Sequence, residues 1–85
     1  MPVVFRSGGF RFFFYSNEGR PREPMHVHVE RGDSEAKFWL RPDVSVVYND
    51  GFDARALREL LRLVEGNRER IEKAWNDFFR EGNRN

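Results

Sequence analysis

An α+β domain is what this 85-residue sequence predicts: an antiparallel sheet of four or five strands in the N-terminal half, then one long or two shorter C-terminal helices. Three observations carry that expectation. Short runs rich in Val, Phe, Tyr and Trp before Gly51 are separated by Gly8-Gly9, Asn17 to Pro24, Gly32-Asp33-Ser34 and Arg41-Pro42-Asp43, residue types that turn a chain between strands. After Gly51 the apolar period becomes helical, with Leu57, Leu60, Leu61 and Val64, then Ile71, Ala74, Trp75 and Phe78, on one stripe. Strands come first and helices follow without alternating, which is the order of a sheet covered by helices on one side. A single domain over residues 1–85 is expected, with a sheet region over 1–50 and a helical region over 52–81.

The run Phe10 to Ser16 sets Phe10, Phe12 and Phe14 on one face and Arg11, Phe13 and Tyr15 on the other. Both faces are largely aromatic, which places this strand inside a sheet. In Met25 to Glu30, Val27 and Val29 point one way and His26, His28 and Glu30 the other. A reverse turn over Arg31 to Ser34 brings the chain back along Glu35 to Leu40. An even loop sets Val27 against Phe38 and Val29 against Ala36 on one face. On the other it sets His26 against Trp39, His28 against Lys37 and Glu30 against Glu35. An odd loop would mix the faces, and a slip of one residue is costly where one face is buried, so the even register is expected.

Asp53 is suited to cap the first helix, and Phe52 before it is placed to pack on Leu57. Leu57, Val64, Ile71 and Phe78 keep a seven-residue spacing straight through Gly66-Asn67. An unbroken helix from Ala54 to Arg80 is about 40 Å long, about twice the length of a six-residue strand, so its apolar stripe overhangs the sheet. Either the helix bends back near Gly66, or the overhang meets a second copy in a homodimer; the sequence leaves both open.

So short a chain buries about 60 to 65% of its unfolded surface, and nine Phe, two Trp and two Tyr supply its bulk. It has no cysteine, which excludes disulfides, thiolate metal sites and a cysteine nucleophile. No apolar run approaches the roughly 20 residues of a membrane span, and Met1 to Arg6 lacks the pattern of a signal peptide. A cytoplasmic protein with no membrane role is expected. The formal net charge is +1, from residues 1–22 at +3, 23–50 at −3 and 51–85 at +1. That near-neutrality is unlike a protein whose affinity comes from phosphate contacts. Thirteen of the fifteen bases are Arg, but in the helical region they alternate with Glu as on a solvated face.

The one chemical constellation is the hairpin face carrying His26, His28, Glu30, Lys37 and Trp39, beside Arg11 and Tyr15 of the neighbouring strand. One reading is acid–base cleavage of RNA. Imidazoles titrate near neutrality and can give or take a proton, and on an ideal strand His26 and His28 lie about 7 Å apart, wide enough to bracket a phosphodiester. Lys37 or Arg31 would then steady the phosphate and Trp39 or Tyr15 would stack a base. A second reading is a divalent metal held by His26 and His28, with Glu30 as a further oxygen donor; no other cofactor is expected. The third is an exposed polar face with no special task, or a surface that docks a partner protein.

The order Gly9-Phe10-Arg11-Phe12-Phe13-Phe14-Tyr15-Ser16-Asn17-Glu18, then Pro24-Met25-His26-Val27-His28-Val29-Glu30, then Ala36-Lys37-Phe38-Trp39-Leu40, then Trp75 to Phe79, closely resembles the small bacterial proteins grouped as domain of unknown function 4160. Those proteins commonly have two prolines before His-x-His-Val; here Met25 takes the second place, which alters loop stiffness and removes no candidate group. The resemblance implies a toxin-like member of a toxin–antitoxin pair, partnered by another small protein of unknown function, family 2442. It carries no assignment of catalytic residues, so His26, His28, Lys37 and Trp39 rest on the strand geometry. The expectation is therefore a toxin-like protein acting on RNA through the hairpin face. A non-catalytic module that docks its companion through the Arg-rich helices or a sheet edge is the alternative, and a metal-binding domain the third.

Overall fold

The computed structural model describes residues 3–18 and 23–82. Five strands, β1 (Val3–Ser7), β2 (Phe10–Phe13), β3 (His26–Arg31), β4 (Ser34–Trp39) and β5 (Ser45–Asp50), form one antiparallel sheet in sequence order. Two helices follow, α1 (Ala54–Gly66) and α2 (Arg68–Gly82). This is the expected α+β class, with five strands and two helices. Part of the expected loop, residues 19–22, lies outside the described residues.

The turns follow from their residues. Ser7 pairs with Phe10 across Gly8-Gly9, whose φ angles of 58° and 83° fit the tight primed turn that matches strand twist. Arg31 pairs with Ser34 across Gly32-Asp33, so the loop is even and the expected register is the observed one: His26 opposite Trp39, His28 opposite Lys37, Glu30 opposite Glu35. The strand limits shift by one residue from those expected, yet the Leu40 N–H still donates to the Met25 carbonyl at 3.1 Å. β2 lies inside the sheet as predicted but ends at Phe13, because the chain turns into a short 3-10 helix at Ser16–Glu18.

One face of the sheet is the core. Phe5, Phe12, Val29 and Ala36 form a cross-strand row, and with Leu60 and Val64 of α1 they belong to one buried cluster. Phe5 and Phe12 stack with centroids 4.3 Å apart. Each fully buried Phe contributes about 1.5–3 kcal/mol, which is how a chain this short holds together.

The open question at Gly66-Asn67 resolves into two helices. Asn67 caps α1 at φ −114°, and its backbone and side-chain N–H groups both donate to the Leu63 carbonyl. Its own carbonyl accepts from Ile71, which starts the next helix. The buried stripe then moves to Ile71, Trp75 and Phe79, with Trp75 and Phe79 packed on Phe14. The stripe beyond Gly66 is thus covered within the chain. Asp53 caps α1 as expected, accepting from Ala56 N–H at 2.8 Å. Among the described residues no helix is long and apolar enough to cross a membrane.

Candidate functional site

The face opposite the core is organised in three cross-strand rows. One row runs Phe13, His28, Lys37, Tyr48 and a second runs His26, Trp39, Ser45. The third crosses the whole sheet as Arg6, Arg11, Glu30, Glu35, Asp50, changing sign in the middle.

His26 and His28 share this face, as the alternation predicts, but they do not face solvent. His26 is 0% exposed and His28 2%, which corrects the expectation of an open imidazole pair. Strand parity decides a side chain's side, whereas its cover comes from elsewhere in the chain. His28 stacks on Phe13 and meets the edge of Tyr15. His26 meets Trp39 and, from α2, Trp75. The two imidazoles touch edge to face with centroids 5.1 Å apart, leaving no space for a phosphodiester between them.

Their polar contacts assign protons. Tyr48 donates its single hydroxyl hydrogen to Glu35 Oε2 at 2.7 Å, so its oxygen accepts from His28 Nδ1, 3.2 Å away. Glu35 Oε2 itself lies 3.4 Å from the same nitrogen, and Tyr15 also donates to Glu35, at 3.2 Å. His26 Nδ1 lies 2.8 Å from the Pro24 carbonyl, which only accepts, so this nitrogen is protonated too. Both Nδ1 atoms therefore serve as fixed donors, the usual state of a buried polar group.

The remaining expected residues divide. Lys37 is on the face but largely enclosed, its ammonium 3.3 Å from Glu23 Oε1 and 4.9 Å from the Trp39 ring centroid. Arg11 forms an ion pair with Glu30 and lies over Phe13. Both cations are thus already opposed by carboxylates. Arg31 is not part of the constellation: it alternates to the other face and lies over Phe10 at 4.2 Å. Among the described residues no three His, Asp or Glu side chains converge as metal ligands would.

Sequence reasoning missed Tyr48 as a member of this site and underweighted Glu35 and Glu23. A bulge between the Lys37 and Phe38 pairings shifts the phase of β5, so that Tyr48 lies opposite Lys37 while Val46 lies opposite Phe38. Simple alternation along Ser45–Asp50 does not reveal that. β5 is also one of the two edge strands of the sheet and is exposed along its whole length, with Val46 at 38%, Val47 at 37% and Tyr48 at 41%.

A family model described as a domain of unknown function, DUF4160, matches residues 9–76. No curated protein and no solved structure matches the chain.

Proposed function

The chain belongs to the DUF4160 family, whose description names no activity, and from that premise we propose that it is the docking component of a two-protein module. The occupant is its small companion protein, of the kind the family resemblance implies for a toxin–antitoxin pair, and the docking surface is the edge strand β5. The exposure of all six β5 residues carries this reading. A free edge offers unpaired backbone groups in a fixed line, and extended segments of partner proteins add to such edges. Tyr48 adds an aromatic anchor whose hydroxyl is already held by Glu35 and His28, so little side-chain freedom is lost when a partner covers it. On this reading the buried histidines are supports of the surface.

Co-expression with the companion tests it. The two proteins should co-purify, and Val47→Arg, at an exposed position, should abolish co-purification while leaving the circular dichroism spectrum and melting temperature close to the parent's. Undiminished co-purification of Val47→Arg and of Tyr48→Ala would remove β5 from the interface.

Toxin-like action on RNA is the second reading, favoured by the aromatic side chains Tyr15, Trp39 and Tyr48 around the histidines, since unpaired bases stack on aromatic platforms. The acid–base group would then be the hydroxyl of Tyr48, backed by His28 and Glu35. The pairing of Lys37 with Glu23 and of Arg11 with Glu30 weighs against it, because phosphate must displace a carboxylate at each cation. RNA cleavage by purified protein that persists in a chelator and disappears in Tyr48→Phe would establish it over docking and over a metal-dependent activity.

A further inference from the structure

We propose that the segment docking on β5 is basic, with a Lys or Arg side chain in register with Asp50. This rests on the docking reading and adds the partner's chemistry to it. The charged row across the sheet is Arg6, Arg11, Glu30, Glu35, Asp50, and its acidic half ends at the free edge. The first carboxylate is matched by the Arg11 guanidinium. The second accepts hydroxyl protons from Tyr15 and Tyr48. Asp50 is exposed, lies directly opposite Glu35, and has no cation within ion-pair distance among the described residues. Like charges directly opposite on adjacent strands repel, and an incoming strand is the one neighbour that can place a cation on the far side of Asp50. The row would then close as it begins, with a base.

The rest of the edge fits the same occupant. Val46 shares the core face with its partner Phe38 and asks for an apolar residue, while Tyr48 and Asp50 share the opposite face. A second copy is a poorer fit. β5 carries no Lys or Arg, so pairing β5 with β5 supplies no base to the row, and the bulge in β5 is a feature that discourages indiscriminate edge pairing. Pairing β5 with the β1 edge would bring Arg6, but such head-to-tail contacts give a ring or an open filament in place of a two-protein complex.

Two capped hexapeptides, one alternating Val with Lys and one alternating Val with Glu, provide the probe, titrated into the full chain while the backbone amide resonances of residues 45–50 are followed. The Lys peptide should shift those resonances and bind about 10-fold or more tighter than the Glu peptide, in line with the usual cost of like-charge contacts at an interface. Asp50→Asn should shrink the difference and Asp50→Lys should reverse it; both changes are at an exposed position. Equal binding of the two peptides, a preference unchanged in both variants, or silence of both peptides overturns the proposal. Companion protein that shields β5 while the peptides show no charge preference keeps the docking reading and rejects the basic occupant. A chain that sediments as a dimer with β5 already shielded assigns the edge to a second copy and rejects both.

Discussion

Replacing His28 separates a buried support from an open acid–base group by magnitude alone. His28→Ala removes an imidazole stacked on Phe13 at 5.5 Å, edge-on to Tyr15 at 4.5 Å and to His26 at 5.1 Å, from a position 2% exposed. Truncating a buried aromatic ring costs about 3–5 kcal/mol, and the smaller imidazole about 2–4. The Nδ1 donor to Tyr48 is lost as well, worth about 1 kcal/mol. A loss of roughly 3 kcal/mol lowers the melting temperature of so small a domain by about 12–24 °C, and it takes a large share of a total near 5–10 kcal/mol. His28→Phe keeps an aromatic ring and loses the Nδ1 contacts to Tyr48 and Glu35, so it should cost less than His28→Ala, about 1–2 kcal/mol. Urea and thermal denaturation followed by far-ultraviolet circular dichroism measure both. A His28→Ala protein within about 0.5 kcal/mol of the parent, the range of ordinary surface substitutions, would refute the burial argument. One consequence is practical: growth arrest lost in a His26→Ala, His28→Ala double mutant would reflect unfolding as readily as lost chemistry, so His28→Phe and Tyr48→Phe are the informative variants.

Two further outcomes follow from other parts of the fold. Burial raises the Glu72 carboxyl pKa, but hydrogen bonds and charge from Arg41 and Arg68 outweigh it and hold the folded value below the ordinary 4.5. A depressed folded pKa gives stability that is complete above the unfolded value and is lost as pH falls through the folded one. The stability difference between the parent and Glu72→Gln should therefore shrink as urea midpoints are measured from pH 6 down to pH 3, and a constant difference would contradict it. At Gly51, φ is 107° and an added Cβ would lie 2.6 Å from Ser34 Oγ and 3.3 Å from Ser34 Cα, whereas at Gly32, with φ of 60°, nothing lies within 4 Å. Gly32→Ala should cost about 1 kcal/mol from backbone strain alone, and Gly51→Ala more, by chemical denaturation; equal costs would show that the Ser34 contact relaxes freely.

Much of the hairpin was legible because it is local. Val27 and Val29 match Ala36 and Phe38 in only one register, and a two-residue turn closes it. The helical region was legible for the same reason, through Asp53 and the spacing of its leucines. What covers the histidines was not, since Tyr15, Tyr48 and Trp75 reach them from three separate parts of the chain. Tyr48 escaped notice because the bulge in β5 changes the phase of alternation, and nothing in Ser45–Asp50 marks where a bulge falls. The break at Asn67 was ambiguous because Val64 and Ile71 stay buried on either side of it, so the apolar spacing survives the interruption.

Amide hydrogen exchange of residues 45–50, with and without the companion protein at saturating concentration, tests the docking edge most directly. Exchange in β5 should slow by about 10-fold or more on binding, as it does when exposed backbone groups gain partners, while β1 at the opposite edge stays unchanged. A complex that forms and leaves β5 exchange as it was would place the partner elsewhere and contradict the assignment.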